Sequence, residues 1–291
     1  MAKKSTLICI HVMPSELEMF EQLMIQFHKA FRHLNETDDV TLKVSLNLNP
    51  KLTNWEESEL NQSFFLSRFA VLFNGLKNIN EVILNDSLWG TTQQKRDSIK
   101  LNYDQFIFCD TDILFHEHLL RHQLDVSYQL DGMYLISPSL PKWWDDSWDI
   151  LCHSDYLDKP YGYATDSDEV FNNTFTQEIK QITAKQMPFV KFGCGMHTLY
   201  SKSFWEFVGI PEEFGGYGPE DTFGMTAANL AKDKGYKIDQ YVLDGIYITE
   251  NYKKRNPSFY DKLVTINKKD EFYSKAESKG ADCLQSFIRK I

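Results

Sequence analysis

The chain has 291 residues, 42% apolar and 14% aromatic, with a formal charge of −10. That length suits one large domain or two small ones with a sizeable core. The acid excess speaks against a nucleic-acid binder, which presents a basic face, and no run reaches the roughly 18 apolar residues of a membrane span.

The start, "MAKKSTLICIHV", lacks a cleavage-site pattern and leads straight into a β-rich run over 6–12. In 14–34, Leu17, Phe20, Leu23, Met24, Phe27, Ala30, Phe31 and Leu34 recur at three and four, which predicts an amphipathic helix. Residues 40–49 alternate with period two, as a strand does. A helix is expected over 56–76, a short strand over 80–86, a short helix with a polar face over 91–102, and a further strand in "YDQFIFCDTDILF". Strands alternating with helices imply parallel β-α-β units. Beyond 126 the alternation fades. A strand over 132–138, a loop-rich aromatic stretch, a helix over 175–186, a strand over 189–201 and a helix over 202–209 are expected. A glycine-rich loop at 214–224, a helix to about 234 and one or two strands to 251 follow, then a lysine-rich, partly helical tail. With no repeat and no linker, one domain is the economical reading. The expected division is a first half (about 1–125), a divergent second half (about 126–250) and a tail (251–291) packing on the domain.

Five cysteines, Cys9, Cys109, Cys152, Cys194 and Cys283, form no C-x-x-C pair. Cys9 and Cys109 fall in apolar runs and read as buried hydrophobes of a reducing compartment, so a cytoplasmic location is expected.

Two carboxylates interrupt the apolar run "FIFCDTDILF". Ligands of an open α/β sheet gather beyond the carboxyl ends of its strands, and Asp110 and Asp112 fall at such an end. Oxygen ligands that leave positions open suit Mg²⁺ or Mn²⁺ shared with a phosphate-bearing substrate. A pair of N-cap aspartates before "HEHLLRH" is the competing reading. Asp-x-Asp alone is weak, since chance supplies about one copy per chain of this size. Asp166-Ser167-Asp168, with no strand before it, reads as a solvated turn. Further on, Glu220-Asp221 follows a glycine loop and precedes a helix, where the dipole keeps a carboxylate ionised and able to accept a hydroxyl proton. Capping competes here too, because Asp221 would make a good N-cap.

A strand ending in Asp110-Thr111-Asp112, followed about a hundred residues on by "G-x-G…F-x-x-x-G-I-P-E-E-F-G-G-Y-G-P-E-D", resembles the GT-A fold of nucleotide-sugar glycosyltransferases. The second half resembles in particular the galactosyltransferase-type end block, with a glycine–aromatic–glycine loop before Glu-Asp. The likeness runs from about residue 5 to 250, with 138–188 matching nothing in it. It implies an α/β fold with a mostly parallel central sheet flanked by helices. It implies that Asp112 ligates Mn²⁺ or Mg²⁺, and that Asp110 reaches the donor ribose, or the metal through water. The metal would hold the donor diphosphate. Asp221, with Glu220 as second choice, would deprotonate the acceptor hydroxyl for an inverting attack. Arg96 and Asp97 match a position that touches donor ribose or sugar. His11, Val12, Asn47 and Asn49 would lie near the base, with Asp86 at the next strand end. Gly216, Tyr217 and Gly218 would let the backbone approach the sugars.

Two departures stand out. No histidine follows His197 to serve as a late metal ligand, and Glu250 or Asn251 in "YITENYKKR" is the expected substitute. The helix after Glu-Asp lacks an arginine. Lys253, Lys254 and Arg255 could neutralise the diphosphate, against the simpler reading of a solvated basic turn. Trp143, Trp144 and Trp148, beside Asp145, Asp146 and Asp149, offer flat faces for an acceptor sugar, with core packing as the equal alternative. His118 and His122 have ligand spacing, but a solvated or capping face is the simpler account.

The expectation is a metal-dependent glycosyltransferase moving a sugar from a nucleoside-diphosphate-sugar, UDP by default of the resemblance, to a saccharide or glycan hydroxyl. Neither a nucleic-acid partner nor a membrane span is expected. Two rivals stand: a haloacid-dehalogenase-like phosphohydrolase, which wants Thr or Val where Leu114 stands, and a non-catalytic carbohydrate-binding protein on the same fold.

Overall fold

The first strand, β1 (Thr6–Val12), shows how the chain divides its core. Ile8, Ile10 and Val12 point to one side of the sheet, Leu7 and Cys9 to the other, and each side carries its own hydrophobic cluster. A strand covered on both faces need not alternate apolar with polar. The computed structural model describes residues 3–12, 16–47, 62–87, 90–139, 183–186, 196–215, 218–250 and 269–291.

In chain order the elements are β1, α1 (Leu17–Phe31), β2 (Val40–Asn47), α2 (Gln62–Phe73), β3 (Glu81–Ser87), α3 (Thr91–Ser98), β4 (Gln105–Cys109), β5 (Ile113–Phe115), α4 (Leu119–Ser127) and β6 (Met133–Ser139). Then come β7 (Thr183–Gln186), β8 (His197–Ser201), α5 (Lys202–Val208), a 3-10 turn (Glu212–Phe214), α6 (Glu220–Asp233), β9 (Ile238–Glu250) and α7 (Lys269–Lys290). The sheet runs β3-β2-β1-β4-β8-β6-β9-β5, with β7 also on β9. Parallel pairing joins β3, β2, β1 and β4, and β6 with β9, while β8, β5 and β7 run the other way. The expected α/β class, a mostly parallel central sheet flanked by helices, is what the chain forms.

The α1 stripe predicted from periodicity is buried: Leu17, Phe20, Leu23, Met24, Phe27, Ala30 and Phe31 each lie against one sheet face. Burying a side chain of that size contributes about 2 kcal/mol. Phe20 meets Phe69 of α2 edge to face at 5.1 Å, coupling the two helices. On the opposite face α5, α6 and α7 cover Phe106, Phe108 and Tyr200. Phe287 of α7 packs edge-on against Phe207 at 5.6 Å, so the C-terminal helix contributes to that second cluster.

Three expectations are corrected. The run from 103 to 115 is not one strand: β4 stops at Cys109 between β1 and β8, and β5 starts afresh at Ile113 on β9. Asp110, Thr111 and Asp112 are the turn between them. Residues 183–186, expected as the end of a helix, form β7, because they find an open partner in β9. The helix before β4 ends at Ser98 rather than 102. Among the described residues Cys9, Cys109 and Cys283 are free thiols, and no described helix is long and apolar enough to cross a membrane.

Candidate active site

Parallel strands in register end together. Val12 pairs with Leu46, and Leu46 with Asp86, while Ile10 pairs with Cys109. His11, Val12, Asn47, Asp86 and the Asp110–Asp112 turn therefore share one edge of the sheet. The turn is held from both sides. The Asp110 N–H donates to the Met196 carbonyl at 3.1 Å, extending the β4–β8 pairing by one bond. Thr111 is buried and its hydroxyl donates to Glu16 Oε2 at 2.8 Å, at the start of α1. With Thr111 turned inward, the flanking Asp110 and Asp112 stay part-exposed at the mouth. β5 pairs Ile113 with Glu250, which sets the backbone of the late-ligand candidate beside Asp112.

The second acidic pair reaches the same place through α3. This helix looks wholly polar, yet Thr92, Gln94, Lys95, Arg96 and Ser98 are all buried. Thr92, Lys95 and Arg96 stand at i, i+3 and i+4 and so share a face. Lys95 Nζ pairs with Glu220 Oε1 at 2.6 Å, and Thr92 Oγ1 donates to Glu220 Oε2 at 2.8 Å. The Gly218 N–H donates to Thr92 Oγ1 at 2.8 Å. Arg96 donates to the carbonyls of Ile210 at 3.1 Å, Pro211 at 2.6 Å and Gly215 at 3.3 Å. One face of α3 thus ties down both ends of the glycine loop and the first turn of α6. Gly218 must be glycine: a Cβ there would lie 2.5 Å from Phe214 Cβ.

Electrostatics joins the two acidic pairs. Burial pushes the Asp110 carboxyl up to about 7; Lys95 opposes this, and the charges of Asp112, Asp221 and Glu220 add to it. Asp221 is raised by burial and by Glu220, against Lys95 and backbone N–H bonds. Lys95 is held protonated although burial disfavours its charge, because Glu220, Asp110 and Asp221 surround it. The carboxylates outnumber this lysine four to one. An excess of carboxylates favours an added cation, and carboxylate oxygen is the ligand type that a hard divalent ion takes.

The predicted residues divide as follows. Asp110 lies within electrostatic reach of Asp112, Glu220 and Asp221. His11, Val12 and Asn47 stand on the same edge, with His11 Nδ1 3.0 Å from Thr91 Oγ1. Arg96 is spent on loop carbonyls. Asp97 is turned to the far side of α3, 46% exposed, pairing with Lys100 at 3.4 Å. Asn49, Trp143, Trp144, Trp148, Gly216, Tyr217, Asn251, Lys253, Lys254 and Arg255 lie outside the described residues. Lys95, Thr92 and Glu16 are the members that the sequence reading missed. The signal for the first two was Thr-x-x-Lys-Arg on a short helix just before the Asp-x-Asp strand.

No family model matches the chain, and no curated protein matches it. Among solved structures it is similar to S. aureus TarS 1-349, at 12% identity and a TM-score of 0.46 over 98% of this chain and 73% of that one. It is also similar to GalNAc-T7 solved with UDP, GalNAc and Mn²⁺, at 10% identity and a TM-score of 0.47. That match covers 99% of this chain but only 56% of the other, little more than half its length. A mycobacterial protein is similar at 11% identity and a TM-score of 0.43, over 85% of this chain and 67% of that one. Likeness of this degree transfers no residue role and no ligand to this chain.

Proposed function

We propose that the chain is a metal-dependent glycosyltransferase of the GT-A type. It would move a sugar from a nucleoside-diphosphate donor, taken as a UDP-sugar, to a saccharide hydroxyl. One observation supports this reading: the Asp110-Thr111-Asp112 turn ends β4 at the sheet's carboxyl edge, and Thr92 and Lys95 of α3 anchor Glu220 within electrostatic reach of it. Asp112, Asp110 and, from β9, Glu250 would hold Mn²⁺ or Mg²⁺. When bound, that ion supplies charge to the donor diphosphate as it departs.

The chain's own residues then have separable tasks. Glu220 has both oxygens engaged and is only 5% exposed. We assign it to positioning the loop and α6, with Lys95 and Thr92. Arg96 positions residues 210–215 in the same way. Asp221 is half-buried at the first turn of α6, and its raised affinity for protons makes it the stronger acceptor of the acceptor hydroxyl's hydrogen. Attack from that side would invert the anomeric centre. His11, Val12 and Asn47 would border the nucleoside. The phosphohydrolase rival loses ground, because Leu114, 1% exposed in β5, brings no hydroxyl to the site.

The test is a thermal-shift screen of nucleoside diphosphates with and without Mn²⁺. One nucleotide should raise the melting temperature only with metal, as mass action requires, and Asp112→Asn should abolish that rise. Equal shifts without metal, or an unchanged response in Asp112→Asn, would count against the reading. Phosphate release from simple esters would favour the phosphohydrolase.

A further inference from the structure

A second cluster of ligating side chains lies away from the acidic mouth. His33 follows α1, Glu117 and His118 precede α4, and their ligand atoms all lie within 4.8 Å of one another. His33 Nε2 is 3.6 Å from Glu117 Oε2. The His33 and His118 ring centroids are 4.0 Å apart at a tilt of 51°. We propose that His33, Glu117 and His118 form a binding site for a divalent transition-metal ion of the zinc class, one that clamps the end of α1 to the start of α4.

The geometry is close to what such an ion needs. Zinc bonds of about 2.0–2.1 Å set tetrahedral ligands roughly 3.4 Å apart, so closing the site takes side-chain rotation of about 1 Å. The donor set is also selective. Two imidazoles and one carboxylate suit a borderline ion such as Zn²⁺, not the hard ion that the all-oxygen mouth would hold. The turn that carries the ligands is fixed, since the His118 N–H donates to His116 Nδ1 at 3.2 Å. His122 stands one helical turn on, its ring 6.4 Å from that of His118, as a further imidazole for the fourth position; water would serve otherwise.

The site is separate from the acidic mouth. Glu16, at the beginning of α1, touches Thr111 in the mouth, whereas His33 lies just past the helix's other end. A helix of 15 residues spans about 22 Å. A bound ion would therefore cross-link segments 84 residues apart in sequence, His33 and Glu117, at the far end of the helix whose start touches the metal-binding turn.

The experiment is a Zn²⁺ titration of the full chain at pH 7.5, stripped with chelator, in the Asp112→Asn background so that the mouth contributes little. Zinc per chain is measured by equilibrium dialysis, thermal shift reports stabilisation, and Co²⁺ substitution reports coordination through visible ligand-field bands. One zinc per chain, a melting temperature that climbs with zinc, and tetrahedral Co²⁺ bands are expected. His33→Ala and Glu117→Gln should each weaken binding at least tenfold. The double variant His33→Ala/His118→Ala should lose the bands while keeping its far-ultraviolet spectrum. No saturable zinc binding in the Asp112→Asn chain, or binding as tight in the double variant, would overturn the site.

Discussion

Two carboxylate environments in this chain invite comparison. Asp38, 2% exposed, accepts from Lys3 at 2.9 Å, the Asn35 N–H at 2.8 Å and Tyr128 at 3.1 Å, and pairs with Arg121. Burial alone would raise its pKa, but the Lys3, Asn35 and Arg121 bonds and the Arg121 charge outweigh it, so it titrates below the ordinary carboxylate range. At the sheet edge, Glu220, Asp110 and Asp221 act on the single Lys95, and Asp110 is pushed the opposite way. A carboxylate met by two cations and two neutral donors fastens the fold. Carboxylates that repel one another keep an appetite for positive charge, and that appetite is the resource a cation-dependent enzyme uses.

The sharpest way to break this contrast is to neutralise one member of each. Asp112→Asn should lower Mn²⁺-dependent nucleotide release from donor by about 10³-fold, the scale of a lost transition-state charge contact, while urea unfolding shifts by less than about 1 kcal/mol. Asp38→Ala should do the reverse. It leaves Lys3 and Arg121 without their shared anion, costing about 3 kcal/mol of stability, with turnover per folded molecule unchanged. If Asp38→Ala cost turnover and Asp112→Asn cost stability, the division of roles would be wrong.

Lys95 belongs to both worlds, and a double-mutant cycle sharpens its place. Lys95→Met strands the buried Glu220 carboxylate and should destabilise by about 3 kcal/mol. Adding Glu220→Gln should restore at least about 1 kcal/mol, since the two residues touch. Additive losses in urea unfolding would deny the pairing. Gly218→Ala, forced against Phe214, should cost about 2 kcal/mol.

The remaining effect is a pH dependence. His197 is fully buried between Phe27 and Phe115, with no side-chain partner for its ring nitrogens among the described residues, and burial lowers its pKa from 6.5 to about 4. Between those values the unfolded chain holds a proton that the folded chain refuses. Stability should therefore fall as pH drops from about 6.5 to about 4. His197→Leu should flatten urea-midpoint profiles over that window by up to one proton. An unchanged slope would mean that another group titrates there.

The first half of the fold was legible because its signals are local. The α1 stripe follows period 3.6 and β2 follows period two. What local pattern hides is the partner. The alternation of β2 leaves its polar face unassigned, yet that face is buried too, with Lys43 donating to Ser98 of α3 at 2.8 Å. The burial of α3 was hidden for the same reason, because the groups that satisfy its Thr92, Lys95 and Arg96 lie more than a hundred residues downstream. The break between β4 and β5 was invisible in an apolar run, since each half is a good strand and only the pairing differs. The acidic pairs were legible as candidates, because a strand end and a helix start aim them. Their sharing of one site was expected only through the family resemblance, and the approach of His33 to Glu117 and His118 had no local signal at all.

The most direct measurement is an anomalous-scattering map at the manganese edge, from crystals soaked with Mn²⁺ and a nucleoside diphosphate. A manganese peak about 2.1 Å from an Asp112 carboxylate oxygen, with the diphosphate on its open side, is the predicted result. A peak elsewhere, or a diphosphate bound with no metal beside Asp112, would contradict the account.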